Sequence, residues 1–567
     1  MKRLYFAACL IYFWLFNSIT LISISLLLGI TISNVHFWVS IFITIILFSR
    51  FIREELTYKD FISIILLGVL ITLFFIGFAS HLYTDVWDSN SYHKQAVGLL
   101  YYGWNPVYQS SWDFETVAHT TQLYSPSLTW SEVYPKATWY FSAMLYKITG
   151  NIESGKIFTM ISMLMLFVLG FDYLFEKGYG KIRSAVVAVF IAFNPIPLSQ
   201  FRSFYLDGFA CNILLIIMLE MIIIEDRCYK KDKKNNWYLL VLSVAIGCAL
   251  KTSIVMFNII ICATYFIYNL ITNIVLKKPL LNSLLIGLPL FFAGLIGVVI
   301  IGFSPYITNI ARYHNFSYKS DELMEYLFPF KAGLVDCESN FQAFFVSIFS
   351  KMDSREYTTI KETVKIPFSI HPNEIAHYSL ADTIKGGMGI WFSGLLILSL
   401  IIIFRYLLFC RRKRKSIENR FALLLIAVIF IAVSITPLTY WHRYIGFIYI
   451  IPIVAVLSLL IHGQFKKNDF ILFLTIFTAY VNIAPWFLYT VKDIQKSVVT
   501  EAQLMGMSNR SKDGMKYEVA LASDEFVGIL YNLKDWNIDY IYLDKLDNDS
   551  QRDIMYTYYM YYREAKD

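Results

Sequence analysis

Long apolar stretches alternate with short polar loops along most of this chain. A helix needs roughly 17 to 25 apolar residues to cross a bilayer, and about thirteen stretches approach or meet that length. They cover residues 5–30, 35–50, 61–81, 156–175, 183–198, 208–224, 238–250, 254–276, 280–303, 390–409, 421–439, 443–462 and 469–490. The short stretch 238–250 and its neighbour 254–276 are also compatible with a tight re-entrant pair. The pattern predicts an all-α polytopic membrane protein with about thirteen transmembrane helices.

The distribution of charge agrees with this prediction and orients it. Only 16% of the residues are charged and 57% are hydrophobic, whereas soluble proteins are about a quarter charged. The formal charge is +7, and its densest basic clusters, 225–236 and 410–420, each lie between apolar stretches. Cytoplasmic loops carry such clusters. We therefore expect a cell-membrane protein with a cytoplasmic N-terminus and an extracytoplasmic C-terminus, held in a lipid bilayer, with no nucleic-acid partner.

Three regions follow from this topology. Residues 1–60 hold two spans, residues 61–490 form the main transmembrane region with outer loops 82–155 and 304–389, and residues 491–567 form a C-terminal extracytoplasmic domain. The tail is polar apart from "WNIDYIYLDKL", which predicts a strand and a small α/β domain. Within loop 82–155, "SNSYHKQAVGLLYYG" and "YPKATWYFSAMLYKITG" show helical spacing. They are expected to be interfacial helices at the outer face, or else connectors packed on the bundle.

Charged residues beside aromatic ones gather where the chain leaves the membrane on the outer side. The set comprises Asp85, Asp88, Arg202, Asp207, Lys251, His442 and Arg443. Charges at the ends of spans are costly and usually face a cavity or a partner. Carboxylates suit a general base for a hydroxyl acceptor, and arginine and lysine suit a phosphate leaving group. The set predicts a sugar donor linked to a lipid phosphate, with Asp88 taking the proton of the acceptor.

The chain resembles the multi-spanning glycosyltransferases of the GT-C fold over residues 61–490. The motifs that carry the resemblance are "YH…AV.LL..GWNP", "YPKATWYFSAMLYKITGNIESGKIF", "FYLDGFA", "GCALKTS", "GFSPYITNIARYHN", "IKGGMGIWFS" and "HRYIGFIYIIP". That family, related to the dolichyl-phosphate-mannose-protein mannosyltransferase-like superfamily, transfers sugars from polyprenyl phosphates at the outer face. The resemblance implies a GT-C-like helical bundle preceded by two additional spans.

The resemblance also implies roles for particular residues. The acid of the first large outer loop is the family's usual base, which matches Asp88, with Asp85 as the less favoured choice, and a second acid matches Asp207. Lys251 and Arg443 match the cations that hold the donor phosphate. Other residues assigned to substrate binding are His93, Arg202, Tyr205 and His442. Some members of the family use a divalent cation and others do not, so no cofactor is certain.

Each assignment has a structural alternative. Asp88 precedes a predicted helix and is also placed to cap it. Lys251 is also placed to extend towards the lipid headgroups, and Arg443 to anchor a helix end. For the whole chain, the expected function is transfer of a sugar to a glycan, lipid or protein acceptor of the cell envelope. The alternatives are a polysaccharide polymerase or ligase, and a transporter of lipid-linked glycans.

Overall fold

The computed structural model defines the fold of most of the chain. It describes residues 2–51, 57–121, 123–229, 237–316, 334, 336–353, 359–377, 381, 383–413, 420–461, 469–546, 552–556 and 559–565.

Helices account for nearly all of the regular structure before the C-terminal tail. The first ten are α1 Lys2–Leu27, α2 Asn34–Phe51, α3 Tyr58–Ser80, α4 Lys94–Tyr102, α5 Ser111–Ala118, α6 Leu128–Val133, α7 Ala137–Thr149, α8 Phe158–Glu176, α9 Lys181–Ala192 and α10 Pro195–Gln200. The next seven are α11 Asp207–Tyr229, α12 Trp237–Gly247, α13 Thr252–Val275, α14 Leu281–Ile296, α15 Phe303–Tyr313, α16 Asn340–Ile348 and α17 Ile360–Thr363. The last five are α18 Phe392–Lys413, α19 Arg420–Ile435, α20 Ile450–Ile461, α21 Asp469–Lys512 and α22 Gly528–Asp535.

The prediction of a polytopic helical protein is confirmed. Each of the thirteen predicted apolar stretches falls on helical structure. Among the described residues, nine helical segments are long and apolar enough to cross a membrane, and three shorter apolar helices, including α12 and α19, accompany them. The central element is α11, whose apolar window is completely buried by the helices around it. The chain is a multi-pass membrane protein built around this helix.

One predicted span, 183–198, is divided in the structure. Helix α9 ends at Ala192 and α10 begins at Pro195. A residue before proline is disfavoured in the helical region, and Asn194 is extended, with its side chain accepting a hydrogen bond from the Ile196 amide at 3.2 Å. The break therefore follows from "FNPIP", which the apolar pattern alone did not take into account.

The two outer-loop helices form where the sequence predicted them, but protein surrounds both. The first comprises a π-helical turn, Ser89–His93, followed by α4, and it ends at Gly103 with a φ of 109°. The second is α7, which ends at Gly150 with a φ of 65°. Every residue from 89 to 100, and every residue from 137 to 146, is buried. They are thus connectors packed on the bundle, the second of the two interpretations, rather than helices resting free in the headgroup layer.

The C-terminal tail contains the small α/β unit that was expected. Four strands, β1 Tyr517–Leu521, β2 Tyr540–Tyr542, β3 Asp553–Met555 and β4 Met560–Glu564, form a sheet in the order β2-β1-β4-β3. β1 pairs parallel with β2, and α22 connects these two strands along the chain. β1 also pairs antiparallel with β4. Helix α21 leads into this unit and spans 44 residues, about 66 Å at 1.5 Å per residue. It is continuous across the predicted domain boundary at 490, so the tail is an extension of a membrane helix.

Candidate active site

An arginine connects two carboxylates at one end of the central helix. Arg443 Nη1 lies 3.2 Å from Asp88 Oδ2, and Arg443 Nε lies 3.7 Å from Asp207 Oδ2. The other oxygen of Asp207, Oδ1, is 3.1 Å from Lys251 Nζ. The side chains of Asp207 and Arg443 are only 6% and 8% exposed. Four predicted site residues from four separate chain segments therefore form one contiguous ion-pair cluster.

Local structure explains why these side chains converge. Asp207 is the first residue of α11, and Lys251 is an extended residue in the turn between α12 and α13. Arg443 belongs to a 3-10 helix, His442–Tyr449, that continues into α20. The opposite end of α11 carries another pair, Asp226 with Lys177. At 1.5 Å per residue, Asp207 and Asp226 are about 28 Å apart, close to the thickness of a bilayer core.

Aromatic rings surround the two cations. The guanidinium carbon of Arg443 lies 4.5 Å from the centre of the Trp441 ring, and 5.0 Å from those of Tyr205 and Tyr444. Lys251 Nζ lies 3.8 Å from the centre of the Tyr444 ring. Aromatic faces attract cations most strongly where water is excluded. The rings hold both positive charges in place, and the N–H groups of Arg443 and Lys251 point at the carboxylates. An anionic ligand that enters the site would meet the same N–H groups.

The side chain of Asp88 does not cap the helix that follows it. Asp88 precedes the π-helical turn in a helical conformation, and its side chain makes no capping hydrogen bond. Its carboxylate contacts Arg443 instead, and its backbone N–H donates to the Tyr205 hydroxyl at 3.4 Å. The structural alternative for this residue is therefore wrong. Tyr205 contacts both Asp88 and Arg443, as expected of a residue in the site.

His93 lies beside the cluster as a neutral hydrogen-bond acceptor. The Trp139 indole N–H donates to His93 Nδ1 at 2.8 Å, and the His93 and Tyr205 rings are 6.0 Å apart. Because Nδ1 accepts, the proton of the neutral ring is on Nε2. Burial, and then the charges of Arg443 and Lys251, hold the pKa of His93 well below its usual value of 6.5. His93 therefore adds no third positive charge to the site.

We expect the depressed pKa of His93 to appear in the pH dependence of stability. The unfolded chain takes up a proton at His93 near pH 6.5, whereas the folded protein does not, so acidification favours unfolding. The contribution of His93 to stability is fully present above that pH and is lost as the pH falls below it. The thermal unfolding temperature should fall less between about pH 7 and pH 5 in His93→Gln than in wild type. Identical slopes in the two proteins would contradict this assignment.

Two of the predicted residues, Asp85 and Arg202, belong to a neighbouring cluster. Asp85 Oδ2 pairs with Lys496 Nζ at 2.8 Å, and the guanidinium of Arg202 pairs with Asp493. Both partners are on α21, in the region predicted to leave the membrane. Arg202 and Tyr205 share one short loop, so the pair with Asp493 fixes the loop that carries Tyr205 and leads to Asp207. Asp85 and Arg202 therefore connect the loops beside the site to α21.

His442 is adjacent to Arg443 in sequence, and its side chain forms no hydrogen bond among the described residues. It is completely buried, and within the described part of the chain neither of its ring nitrogens has a hydrogen-bond partner. Side chains of successive residues in a 3-10 helix point about 120° apart. Arg443 contacts the carboxylates, so His442 points to another side of the 3-10 helix.

Two tyrosines that the sequence did not single out as binding residues complete the surroundings of the cations. Tyr134 lies 5.8 Å from Lys251 Nζ, measured to the ring centre. The Tyr444 hydroxyl accepts a hydrogen bond from Arg443 Nη2 at 3.1 Å. Tyrosine is too abundant in this chain, with 40 residues, for its type to mark a site. The adjacency of Tyr444 to Arg443 was the one available signal.

An apolar groove lies between α12, α13 and α14 near the lysine. It encloses about 540 Å³, and its lining includes Cys248, Val255, Asn258, Phe266, Gly294 and Leu288. Cys248 and Val255 lie three residues before and four residues after Lys251 in the chain. Exposed apolar side chains such as Leu288 form part of the lining, so the groove opens sideways, towards the region that lipid occupies. A cationic residue thus lies close to a lipid-accessible groove.

Among the described residues, no group of three or more His, Cys, Asp or Glu side chains is arranged to hold a metal ion. In the candidate site the charges next to Asp88 and Asp207 are those of Arg443 and Lys251.

The fold and the site define a multi-pass helical membrane protein with an ion-pair cluster at one end of its central helix. No protein-family model matches the chain, and no curated protein matches its sequence. Among solved structures, the chain is similar to ArnT from Cupriavidus metallidurans. The apo structure shares 11% identity at a TM-score of 0.42, covering 85% of this chain and 86% of that one.

A second ArnT structure, bound to undecaprenyl phosphate, shares 12% identity at a TM-score of 0.38 over the same shares of the two chains. Likeness of this size assigns no role to any residue of this chain.

Proposed function

We propose that this protein transfers a sugar from a polyprenyl-phosphate donor to an acceptor of the cell envelope. The observation that carries the proposal is the position of Arg443 between Asp88 and Asp207, with Lys251 next to it. The site combines a base for the acceptor with cations for a phosphate. The motifs that resemble GT-C glycosyltransferases contribute the same residues.

The charge balance of the cluster suggests how a donor would bind. Two carboxylates and two cations neutralise one another, so an incoming phosphate must share the cations with Asp88 and Asp207. The Arg443–Asp88 contact, at 3.2 Å, is longer than a typical charge-assisted hydrogen bond of about 2.7–2.9 Å. Of the two carboxylates, Asp88 is the more exposed, at 18% against 6%. A phosphate that takes over Arg443 would leave Asp88 as an ionised base facing the acceptor.

The reaction is then a single displacement. The acceptor hydroxyl gives its proton to Asp88 while its oxygen forms a bond to the anomeric carbon. The bond from that carbon to the phosphate oxygen breaks, and polyprenyl phosphate leaves as an anion held by Lys251 and Arg443. No second acid is needed because the phosphate leaves without a proton. Attack on the face opposite the leaving group inverts the anomeric centre.

Some GT-C glycosyltransferases use a divalent cation. Its role would be to neutralise the leaving phosphate, which Arg443 and Lys251 are placed to do. We propose that these side chains suffice, in which case a chelator such as EDTA leaves transfer unchanged.

The alternatives predict other behaviour. A transporter of lipid-linked glycans moves its substrate without cleaving the sugar–phosphate bond. A polymerase or ligase shares the lipid donor and differs in the acceptor, a growing polysaccharide chain or a finished glycan. The cluster favours bond cleavage, because a base beside phosphate-binding cations has no evident use in transport.

The groove provides a test of donor binding that does not depend on the acceptor. Gly294 lines the groove, and a Cβ there would lie 3.7 Å from Cys248 Sγ, an ordinary contact. We propose that the polyprenyl chain of the donor lies in this groove, and in Gly294→Leu the added side chain would occupy part of that space. We expect the KM of a long-chain donor to rise about tenfold, equivalent to about 1.4 kcal/mol, while the KM of a short-chain analogue stays unchanged.

A matched control is available on α3. A Cβ at Gly77 would meet nothing within 4 Å, so Gly77→Leu adds the same side chain outside the groove. It should leave the KM of both donors at the wild-type value. An equal KM for the long-chain donor in Gly294→Leu and wild type would show that the chain lies elsewhere.

A further inference from the structure

One side of the segment that carries Asp88 packs against the C-terminal unit. The residues concerned are Trp87, Asn90, Lys94 and Gly98, at intervals of three and four residues, which place them along one helical face. Each of them contacts a residue between 525 and 532. Asp88 and His93 belong to the other side, which faces Arg443, Tyr205 and Trp139. The segment is thus held between the site and the tail.

Trp87, the residue immediately before Asp88, is held by the tail. Its indole N–H donates to Glu525 Oε2 at 2.9 Å. Its ring meets that of Phe526 edge-on at 4.5 Å, and Phe526 stacks on Tyr559 at 4.0 Å. An edge-on aromatic pair and a hydrogen bond to a carboxylate both restrict orientation. The direction of the chain at Asp88 therefore depends on the C-terminal unit.

Two glycines allow the segment and the tail to approach each other closely. A Cβ at Gly528 would lie 2.5 Å from the carbonyl oxygen of Asn90 and 2.7 Å from the Cβ of Lys94. A Cβ at Gly98 would lie 2.1 Å from the ring of Tyr531. Neither position accepts even an alanine without displacing the segment or the tail. A single added methyl group at either glycine would therefore disturb the interface.

Buried charges connect the same elements. Glu153 pairs with both Lys94 and Lys156, and all three side chains are at most 1% exposed. Asn532 of α22 accepts a hydrogen bond from Lys94 Nζ at 2.9 Å and donates one to Glu153 Oε1 at 3.0 Å. A buried charge network is costly unless every partner is in place. Lys94 is therefore held both by the membrane region and by the tail.

From these contacts we propose that the C-terminal unit positions Asp88, with Trp87, Glu525 and Gly528 as its positioning residues. The role given to Asp88 rests on the proposed function, whereas the docking itself does not. A base must lie within hydrogen-bond reach of the proton it removes, and a displacement of about 1 Å can cost about a hundredfold in rate. The tail thus acts on the rate of transfer, and the donor phosphate stays with Lys251 and Arg443.

Two glycine variants test this proposal. Gly528→Ala inserts a methyl group into the contact with Asn90, and Gly506→Ala, where a Cβ would meet nothing within 4 Å, is the matched control. In Gly528→Ala, amide hydrogen exchange of residues 88–100 should become at least about tenfold faster. The kcat for sugar transfer should fall about ten- to a hundredfold, with the donor KM within about twofold of wild type. Gly506→Ala should match wild type in all three quantities.

A milder variant separates positioning from failure to fold. Trp87→Phe keeps an aromatic ring against Phe526, removes the hydrogen bond to Glu525 and makes the ring smaller. We expect wild-type thermal stability, faster exchange in 88–100 and a lower kcat at an unchanged donor KM. Glu525→Gln keeps an acceptor oxygen for the indole N–H and should retain a higher kcat than Trp87→Phe.

The outcomes distinguish the two proposals. Unchanged exchange of 88–100 in Gly528→Ala would overturn the positioning role, whatever the activity. A wild-type kcat in Gly528→Ala, or a loss carried entirely by the donor KM, would also overturn it. If wild type transfers no sugar from any donor, the proposed function fails, and the exchange comparison still decides whether the tail orders the Asp88 segment.

Discussion

Asp88→Asn is expected to reduce sugar transfer by about 10²- to 10⁴-fold, the usual contribution of a general base. Asparagine keeps the size of the side chain and can still accept a hydrogen bond from Arg443, so the cluster should stay assembled. It cannot take a proton from the acceptor. The KM of the donor should therefore change little, because Lys251 and Arg443 remain. Steady-state transfer by the purified variant, with donor binding measured in parallel, checks both parts.

The control for this prediction lies three residues away. Asp85 is in the same outer segment and pairs with Lys496, whose side chain is 40% exposed. Partly exposed ion pairs contribute about 0.2–1 kcal/mol, so Asp85→Asn should change transfer by less than about fivefold. The opposite result, a large loss in Asp85→Asn with an active Asp88→Asn, would move the base to Asp85.

Arg443→Gln is expected to affect both stability and transfer. Without the guanidinium, Asp207 keeps Lys251 as a partner, but Asp88 loses its ion pair with Arg443. Removing one member of a buried ion pair typically costs about 3–5 kcal/mol. Loss of a donor that stabilises the departing charge typically costs about 10²–10³-fold in kcat. Thermal unfolding and transfer kinetics of the purified variant measure the two effects.

Two further arginine variants sharpen this result. Arg443→Lys restores the charge but cannot reach two carboxylates with separate nitrogens of one rigid fork, so its activity should be intermediate. Arg510→Gln removes an arginine of the tail that is 64% exposed and pairs with Glu564, and it should resemble wild type. Full activity in Arg443→Gln would exclude Arg443 from phosphate binding.

The fold of the membrane region was largely predictable from the sequence because one physical requirement dominates it. A backbone in lipid must satisfy its own hydrogen bonds, so apolar stretches of sufficient length become helices. Twelve of the thirteen predicted stretches coincide with the nine long and three shorter apolar helices of the described residues. The rule was wrong about 183–198, where "NPIP" ends one helix and starts another. It also could not decide whether α4 and α7 face lipid or protein, because both environments are apolar.

Part of the site was predictable for a related reason. A charge at the end of a span must be satisfied, and this marked Asp88, Asp207, Lys251 and Arg443, all of which the structure brings together. The direction of a side chain is a different matter. His442 was selected together with Arg443, and the geometry of the 3-10 helix separates them.

Partners that lie far away in the chain were beyond the sequence. Asp85 and Lys496 are separated by 411 positions, and nothing in either segment indicates the other. The same holds for Trp87 and Glu525, whose contact depends on how the tail folds back. These long-range pairs decide which acid faces Arg443 and which serves as a support.

The most direct test of the central claim is transfer by the wild-type protein itself. The purified protein in sealed proteoliposomes would be incubated with a panel of radiolabelled polyprenyl-phosphate sugars and an envelope extract as acceptor. The transferred label, the free polyprenyl phosphate and the leaflet that holds the intact donor would all be determined. We predict that one donor is consumed, with one polyprenyl phosphate released for each sugar transferred. In Asp88→Asn both rates should fall by about 10²- to 10⁴-fold. If the wild-type protein moves a donor across the bilayer intact, or consumes no donor in the panel, the account is contradicted.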